Sequence, residues 1–265
     1  MPKKSKKDLS RKLIQNLDIE PGLRFRIEEA YKSIRTNIAF SVMKEGCKRV
    51  VVTSSLASEG KTTTTINLAI SFAQAGQRVL LIDADLRKPK VHQYFSVPNS
   101  PGLTNYLGAS VQRGGSLNVS SVIHNVDCDN LSVICSGSIP PNPSEILGSE
   151  AMNKFLDEVS KMYDYIIIDT PPILVVSDAL PIIKSSDGVV LVVRQNSSTH
   201  PEIQKALSSL EFIDAKLLGF IVNFAESDGK TYYKYGKKSY RYGYGGYSGY
   251  SYGYGYGYSP NDKRR

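Results

Sequence analysis

The chain has 265 residues, 41% of them apolar, with 33 Lys+Arg against 25 Asp+Glu, three Cys and no Trp. That supports one large α/β domain or two small ones with a real core. The lack of an apolar run of roughly 18–20 residues excludes a membrane-spanning helix, and the Lys-rich start lacks the apolar stretch of a signal peptide. Cys47, Cys128 and Cys135 are odd in number and in no metal-ligand spacing, so they read as reduced thiols of a cytoplasmic protein. With three scattered His they leave no His/Cys metal site. The net charge of +8 is unevenly spread: residues 1–13 carry +5 and residues 230–265 carry +7, which leaves 14–229 at −4. A basic total points to nucleic acid or an anionic membrane as partner, but here the cations sit on two tails around an acidic body.

Residues 1–24 form a polar, basic N-terminal segment. From about Arg26 the residues Ile27, Tyr31, Ile34, Ile38 and Val42 recur every three or four positions, which predicts an amphipathic helix. An apolar strand at 49–53 runs into a loop, and a helix from about Lys61 to Ala75 stops at Gly76, a residue suited to a helix C-terminus. A strand at 78–83 is followed by short helical segments near 89–95 and 102–108, a weaker strand at 131–135 and a helix over about 144–162. Strand 165–168 is pure Ile and Tyr. A helix near 177–185, a strand at 188–193, a helix at 201–213 and a last strand at 217–223 complete the pattern. Short continuous apolar strands alternating with helices predict an α/β domain over 25–225, a parallel β-sheet with helices on both faces.

From Glu226 to Arg265 there is no Leu, Ile, Val, Met, Phe or Ala. This segment holds 12 of the 17 tyrosines: Tyr232, Tyr233, Tyr235, Tyr240, Tyr242, Tyr244, Tyr247, Tyr250, Tyr252, Tyr254, Tyr256 and Tyr258, mostly alternating with Gly or Ser. With no aliphatic side chains to bury it cannot offset the entropy of ordering, so 226–265 reads as a disordered tail.

Ser55-Leu-Ala-Ser58-Glu59-Gly60-Lys61-Thr62 lies where a strand ends and a helix begins. That is the place of a phosphate-binding loop, G-x-x-x-x-G-K-[ST], with Ser55 where the first Gly is usual. Gly60 permits close backbone approach, and the amides of Ser58 through Thr63 face a phosphate at the helix N-terminus. Lys61 reaches the β/γ-phosphates and the Thr62 hydroxyl takes a place on Mg²⁺. Two apolar strands end in acids: Tyr165-Ile-Ile-Ile-Asp169 and Leu80-Leu-Ile-Asp83-Ala-Asp85, followed by Arg87. In a parallel sheet the carboxyl ends share one edge, where α/β proteins bind ligands. Asp83, Asp85 and Asp169 behind one phosphate loop therefore read as metal and catalytic groups, and a lone pair of turn caps is the bland alternative. Arg87 either supports charge at that edge or caps the turn.

The phosphate loop, the Asp83-x-Asp85-x-Arg87 strand end, the Asp169-Thr-Pro-Pro strand end and the terminal tyrosines resemble the bacterial tyrosine kinases of polysaccharide export, a P-loop NTPase-like family. Pro140-Pro-Asn-Pro-Ser-Glu145 and Arg35-Thr-Asn37 fit as well. The resemblance covers roughly 25–225 and the tail. It implies transfer of the γ-phosphoryl group of Mg·ATP to the twelve tail tyrosines, mainly of a neighbouring subunit. It assigns Lys61, Asp83 and Asp85 to catalysis, Asp83 orienting or deprotonating the phenol, and Thr62, Asp83, Asp85 and Asp169 to Mg²⁺. It also implies homo-oligomeric ring assembly, a separate transmembrane activator chain and cytoplasmic protein substrates. The kinase would sit in the cytoplasm, at the inner face of the membrane through that partner, and regulate polysaccharide synthesis and export.

There are departures from the family pattern. The ring-forming E-x-x-R-x-x-R helix reads Glu29-x-x-Lys32-x-x-Arg35, and Lys lacks the planar fork that grips a carboxylate bidentately. Ala57-Ser58 stands where Pro-Gly is frequent. The basic N-terminus either lies on an anionic membrane or is a solvated leader. The rival reading is a positioning or partition ATPase. Such proteins carry a second lysine four residues before the last loop Gly, where this chain has Leu56, and they often need a basic DNA-binding face, whereas this body is acidic and implies no nucleic acid. A nucleotide-dependent scaffold, with the tail as association material, is the third class.

Overall fold

The structure, a computed structural model, describes Leu13 and residues 18–111 and 117–225. Its centre is a seven-stranded sheet of β1 (Lys48–Ser54), β2 (Val79–Asp83), β3 (His124–Asn125), β4 (Leu131–Ile134), β5 (Tyr165–Asp169), β6 (Gly188–Arg194) and β7 (Leu217–Asn223). The order across the sheet is β3-β4-β2-β5-β1-β6-β7, with β3 antiparallel and every other pairing parallel. Strands β2 and β5 are buried at every residue, as the continuous apolar runs required. Alternate side chains feed two separate cores. Val51, Leu80, Ile82, Ile166 and Ile168 enter one, and Val50, Val52, Leu81 and Ile167 the other. Each such side chain contributes roughly 1.5–3 kcal/mol of burial, so the central strands cannot slip by one residue without exchanging the two faces.

Helices α1 (Pro21–Ser41), α2 (Lys61–Gln74), α3 (Val91–Phe95), α4 (Leu103–Val111), α5 (Pro143–Leu147), α6 (Glu150–Val159), α7 (Ala179–Lys184) and α8 (His200–Phe212) connect and cover the strands. The predicted α/β class and the main alternation of elements are present, with three differences. Helix α1 starts at Pro21, not near Arg26: proline fits a first helical turn, and Glu20 O accepts from Leu23 N and Arg24 N at 3.0 Å each. Its opening residues Leu23 and Phe25 are exposed, so apolar periodicity is silent there. The single helix expected over 144–162 is two, broken at Gly148-Ser149, where Ser149 Oγ caps α6 by accepting from Met152 N at 3.2 Å. The two-residue β3 and a 3-10 turn at Val119–Val122 are too short to leave a periodic signal.

The two sheet-end loops that border the acidic strand β2 are locked together. Leu103 N and Thr104 N donate to Cys135 O and Ser136 O at 2.8 and 3.0 Å, stitching the start of α4 to the end of β4. Gly102 allows this approach, because a Cβ there would meet Cys135 O at 2.4 Å and Gly137 N at 2.5 Å. Both are backbone atoms and cannot rotate away. Gly102→Ala is therefore expected to cost roughly 1–3 kcal/mol of stability, read as a lower midpoint in urea unfolding. An unchanged midpoint would show that the two loops can separate freely.

Candidate active site

The phosphate loop occupies 55–60 between β1 and α2. Gly60 has φ of +88°, a left-handed conformation open to glycine, and a Cβ there would lie 2.6 Å from Asn223 Nδ2. Ser58 also takes positive φ, +68°. That is the position at which a Gly is frequent in the family, so the serine adopts a glycine conformation instead of changing the loop's path. Asn223, at the end of β7, donates to Glu59 O at 2.9 Å and to Thr64 Oγ1 at 2.8 Å. Glu59 accepts from Leu56 N at 2.8 Å and from the Ser198 hydroxyl. The predicted loop residues Ser58, Glu59, Gly60, Lys61, Thr62 and Thr63 are thus contiguous around one turn. The side chains of Glu59 and Thr63 are committed elsewhere, Thr63 to the Tyr94 hydroxyl at 2.7 Å.

Lys61 opens α2 and is buried among acids. Its Nζ lies 3.0 Å from Asp85 Oδ2 and 3.6 Å from Asp169 Oδ2. Thr62 Oγ1 donates to Asp169 Oδ2 at 2.7 Å, and Thr65 Oγ1 lies 3.1 Å from Asp169 Oδ1. The sheet register causes this convergence: Asp83 on β2 pairs with Asp169 on β5, and Asp169 pairs with Val52 on β1, whose strand leads into the loop. Burial alone lowers the proton affinity of Lys61, but Asp169 and Asp85 outweigh it and hold the ammonium above its ordinary range. Burial raises Asp169 above the usual carboxylate range, against the pull of Lys61 and the Thr62 hydroxyl.

Asp83 differs from its neighbours. It is fully buried, and it accepts from Asp85 N at 3.2 Å and from Lys90 N and Val91 N at 3.0 Å each. These bonds hold the turn that carries Asp85, whose other oxygen accepts from Lys88 N at 3.1 Å. The guanidinium of Arg87 grips Asp178, the residue before α7, at 2.5 and 3.0 Å. It ties the turn after β2 to the segment after β5.

On α1 the expected interface residues separate. Lys32 pairs with Glu29 at 2.7 Å on the exposed face, whereas Arg35 turns inward and donates to Ser71 O at 2.7 Å on α2. The tail tyrosines Tyr232 to Tyr258 lie outside the described residues. Sequence reasoning missed Tyr31, Tyr94, Ser198 and Asn223, all of which hold the loop or the first turn of α2; Tyr31 bonds to Thr64 and Asn67. Only Asn223, a polar residue ending an apolar strand, carried a signal that could have been read.

The donor set suits a magnesium nucleotide. Three carboxylates against one ammonium leave an excess of negative charge, and Thr62, Asp85 and Asp169 offer the hard oxygen ligands that Mg²⁺ prefers. Among the described residues no group of three or more His, Cys, Asp or Glu is arranged to hold a metal by itself. A divalent ion here therefore needs phosphate oxygens to complete its shell, as Mg²⁺ commonly does. Ser55, at the head of the loop, has a buried hydroxyl with no partner, and the loop amides at the start of α2 suit phosphate.

This sheet and loop define a phosphate-loop nucleotide-binding domain. The family model described as an AAA domain matches residues 47–218. The chain is 44% identical over 198 residues to tyrosine-protein kinase YwqD of Bacillus subtilis (strain 168), covering 74% of this chain and 80% of that one. To putative tyrosine-protein kinase CapB of Staphylococcus aureus it is 35% identical over 213 residues, covering 80% and 91%. Among solved structures, the kinase domain of Escherichia coli tyrosine kinase ETK matches with a TM-score of 0.70 at 34% identity, over 82% of this chain and 80% of that one. The chain belongs to the AAA-domain family and, within it, to the bacterial tyrosine kinases.

Burial and Asp169 push Asp83 up to about 7, against about 3.9 for a free aspartate. Between those values the folded chain keeps a proton that the unfolded chain releases. The contribution of this group to stability is therefore largest at low pH and is lost as pH rises through about 7. The nucleotide-free chain is expected to melt at a lower temperature at about pH 8 than at about pH 5.5, and Asp83→Asn to flatten that difference. Thermal melts of both proteins across the range check it.

Proposed function

We propose that this chain is an ATP-dependent protein-tyrosine kinase that phosphorylates the tyrosine cluster at 232–258, mainly in a neighbouring copy, and thereby regulates polysaccharide synthesis and export. The observation that carries the reading is Lys61, held 3.0 Å from Asp85 at the first turn of a helix behind a left-handed Gly60. A buried ammonium with two acidic partners is poised to exchange one of them for phosphate oxygens.

In this reading the loop amides and Lys61 bind and neutralise the transferring phosphate. Thr62, Asp85 and Asp169 hold Mg²⁺, which when bound offsets charge on the phosphate oxygens. Asp83, buried and accepting from three backbone amides, acts in this reading by holding the Asp85–Val91 turn. Asp85, released when Lys61 turns to phosphate, is the carboxylate that orients the incoming tyrosine hydroxyl. A free phenol has a pKa of about 10, so an adjacent carboxylate is useful near neutral pH.

The tail matches the acceptor role in charge. Residues 230–265 carry +7, opposite in sign to the carboxylates of the site. Each phosphate adds about −1.5 to −2, so about four modifications cancel that attraction and release the tail. No helix of the described residues is long and apolar enough to cross a membrane. In this reading membrane location comes from a separate activator chain, aided by the basic residues of 1–13. Ring assembly would use the exposed Glu29–Lys32 face of α1, with Arg35 supporting the helix from within its own subunit. Other cytoplasmic proteins are further substrates.

Incubating the full chain with Mg·ATP, alone and with the activator's cytoplasmic segment, and mapping the products by mass spectrometry tests this. Phosphotyrosine within 232–258 is expected, with Lys61→Met reducing it at least about 100-fold. Unmodified tyrosines in both proteins, with ATP still hydrolysed, would turn the reading toward a positioning-type ATPase.

A further inference from the structure

Glu59 presents a physical problem. It is a carboxylate inside a loop suited to phosphate, and it is 2% exposed. A negative charge there opposes a polyphosphate unless both of its oxygens are engaged elsewhere. They are. Oε2 accepts from Leu56 N at 2.8 Å, which closes the loop on itself, and Oε1 accepts from the Ser198 hydroxyl. Ser198 Oγ accepts in turn from Arg194 N at 2.8 Å, so the hydroxyl proton is committed to Glu59. Arg194 ends β6 and Ser198 lies in the turn before α8. The loop is thus braced from the β6 side of β1, opposite to the side on which β5 and β2 bring in their acids.

We propose that Ser198 and Glu59 form a positioning pair that sets the nucleotide affinity of the phosphate loop, with the hydroxyl of Ser198 keeping the Glu59 charge fixed and away from the phosphates. This rests on the nucleotide-binding part of the function proposed above. Without the hydroxyl, Oε1 is a stranded buried charge. Glu59 then leaves its place, the bond to Leu56 N is lost, and its charge is free to face the phosphates. Binding weakens while the groups that act on the bound phosphate, Lys61, Thr62 and Asp85, are untouched. Ser198 is a positioning residue and touches neither substrate nor metal.

The test uses the full chain, a fluorescent mant-ADP with Mg²⁺ as binding probe, and phosphate transfer at saturating ATP as rate probe. Ser198→Ala is expected to weaken mant-ADP binding about 10-fold, the size of one lost hydrogen bond to a charged group. The rate at saturation stays within about twofold. Ser198→Thr, which restores a hydroxyl, returns affinity to within about twofold of the parent. In a Glu59→Gln background, where no charge can be stranded, the same Ser198→Ala change costs less than about twofold. A merely structural role would lower the melting temperature and leave the affinity of the folded protein unchanged. Parent-like affinity of Ser198→Ala, or an equal loss with and without the Glu59→Gln change, overturns the proposal. If the parent chain itself does not take up mant-ADP, the nucleotide reading fails first and the proposal fails with it.

Discussion

Lys61 is a buried ammonium between Asp85 and Asp169, and much of the architecture exists to make that burial tolerable. Taking one ion out of water costs several kcal/mol, which is recovered only if partners stand at contact distance and their remaining lone pairs are occupied. The partners come from two different strands, so β2 and β5 must be adjacent, parallel and in register, with β1 beside β5 to deliver the lysine. Backbone amides then occupy the oxygens of Asp83, and threonine hydroxyls occupy those of Asp169. A one-residue slip of either strand would point its acid into a core.

The run Lys61-Thr-Thr-Thr-Thr65 shows how this is achieved with residues that are mediocre helix formers. Thr62 and Thr65 reach Asp169, Thr63 bonds to Tyr94 of α3, and Thr64 accepts from Asn223 of β7 and bonds to Tyr31 of α1. Four hydroxyls at successive positions point around the helix, about 100° apart. They therefore meet elements on different sides: the acidic strand, the short helix behind it, the far edge of the sheet and the N-terminal helix. The first turn of α2 is the junction of the domain. A change on β7 reaches the phosphate loop through the single side chain of Asn223.

The loop is held from opposite sides by different chemistry. On the acidic side ion pairs grip Lys61 and Arg87 fastens the β2 turn to Asp178. On the other side neutral and charge-assisted hydrogen bonds from Asn223 and Ser198 hold Glu59. In the function proposed above, the first set changes when phosphate enters, because Lys61 exchanges a partner. The second does not touch phosphate and can stay in place. A loop with one exchangeable and one permanent attachment keeps its path while its charge state alters, which is what electrostatic preorganisation requires.

The chain's own order of residues determined the α/β class, the phosphate loop and the two acidic strand ends, because each is local: continuous apolar runs mark buried strands, and a Gly-Lys-Thr between strand and helix needs no distant partner. Local signals failed where context decides. Gly148-Ser149 divides a stretch that reads as one helix, and Arg35 turns inward at a spacing that equally suits a solvated face. Tertiary structure alone gave the acids different surroundings. Asp83 and Asp85 are indistinguishable as letters, yet one is sealed by three backbone amides and the other faces Lys61. It also recruited Ser198, Asn223 and Tyr31, which lie up to 164 positions from the loop residues they hold. The reason is physical: a hydrogen bond is made across space by whichever polar group the packed strands bring within about 3 Å, and spacing along the chain does not record that distance.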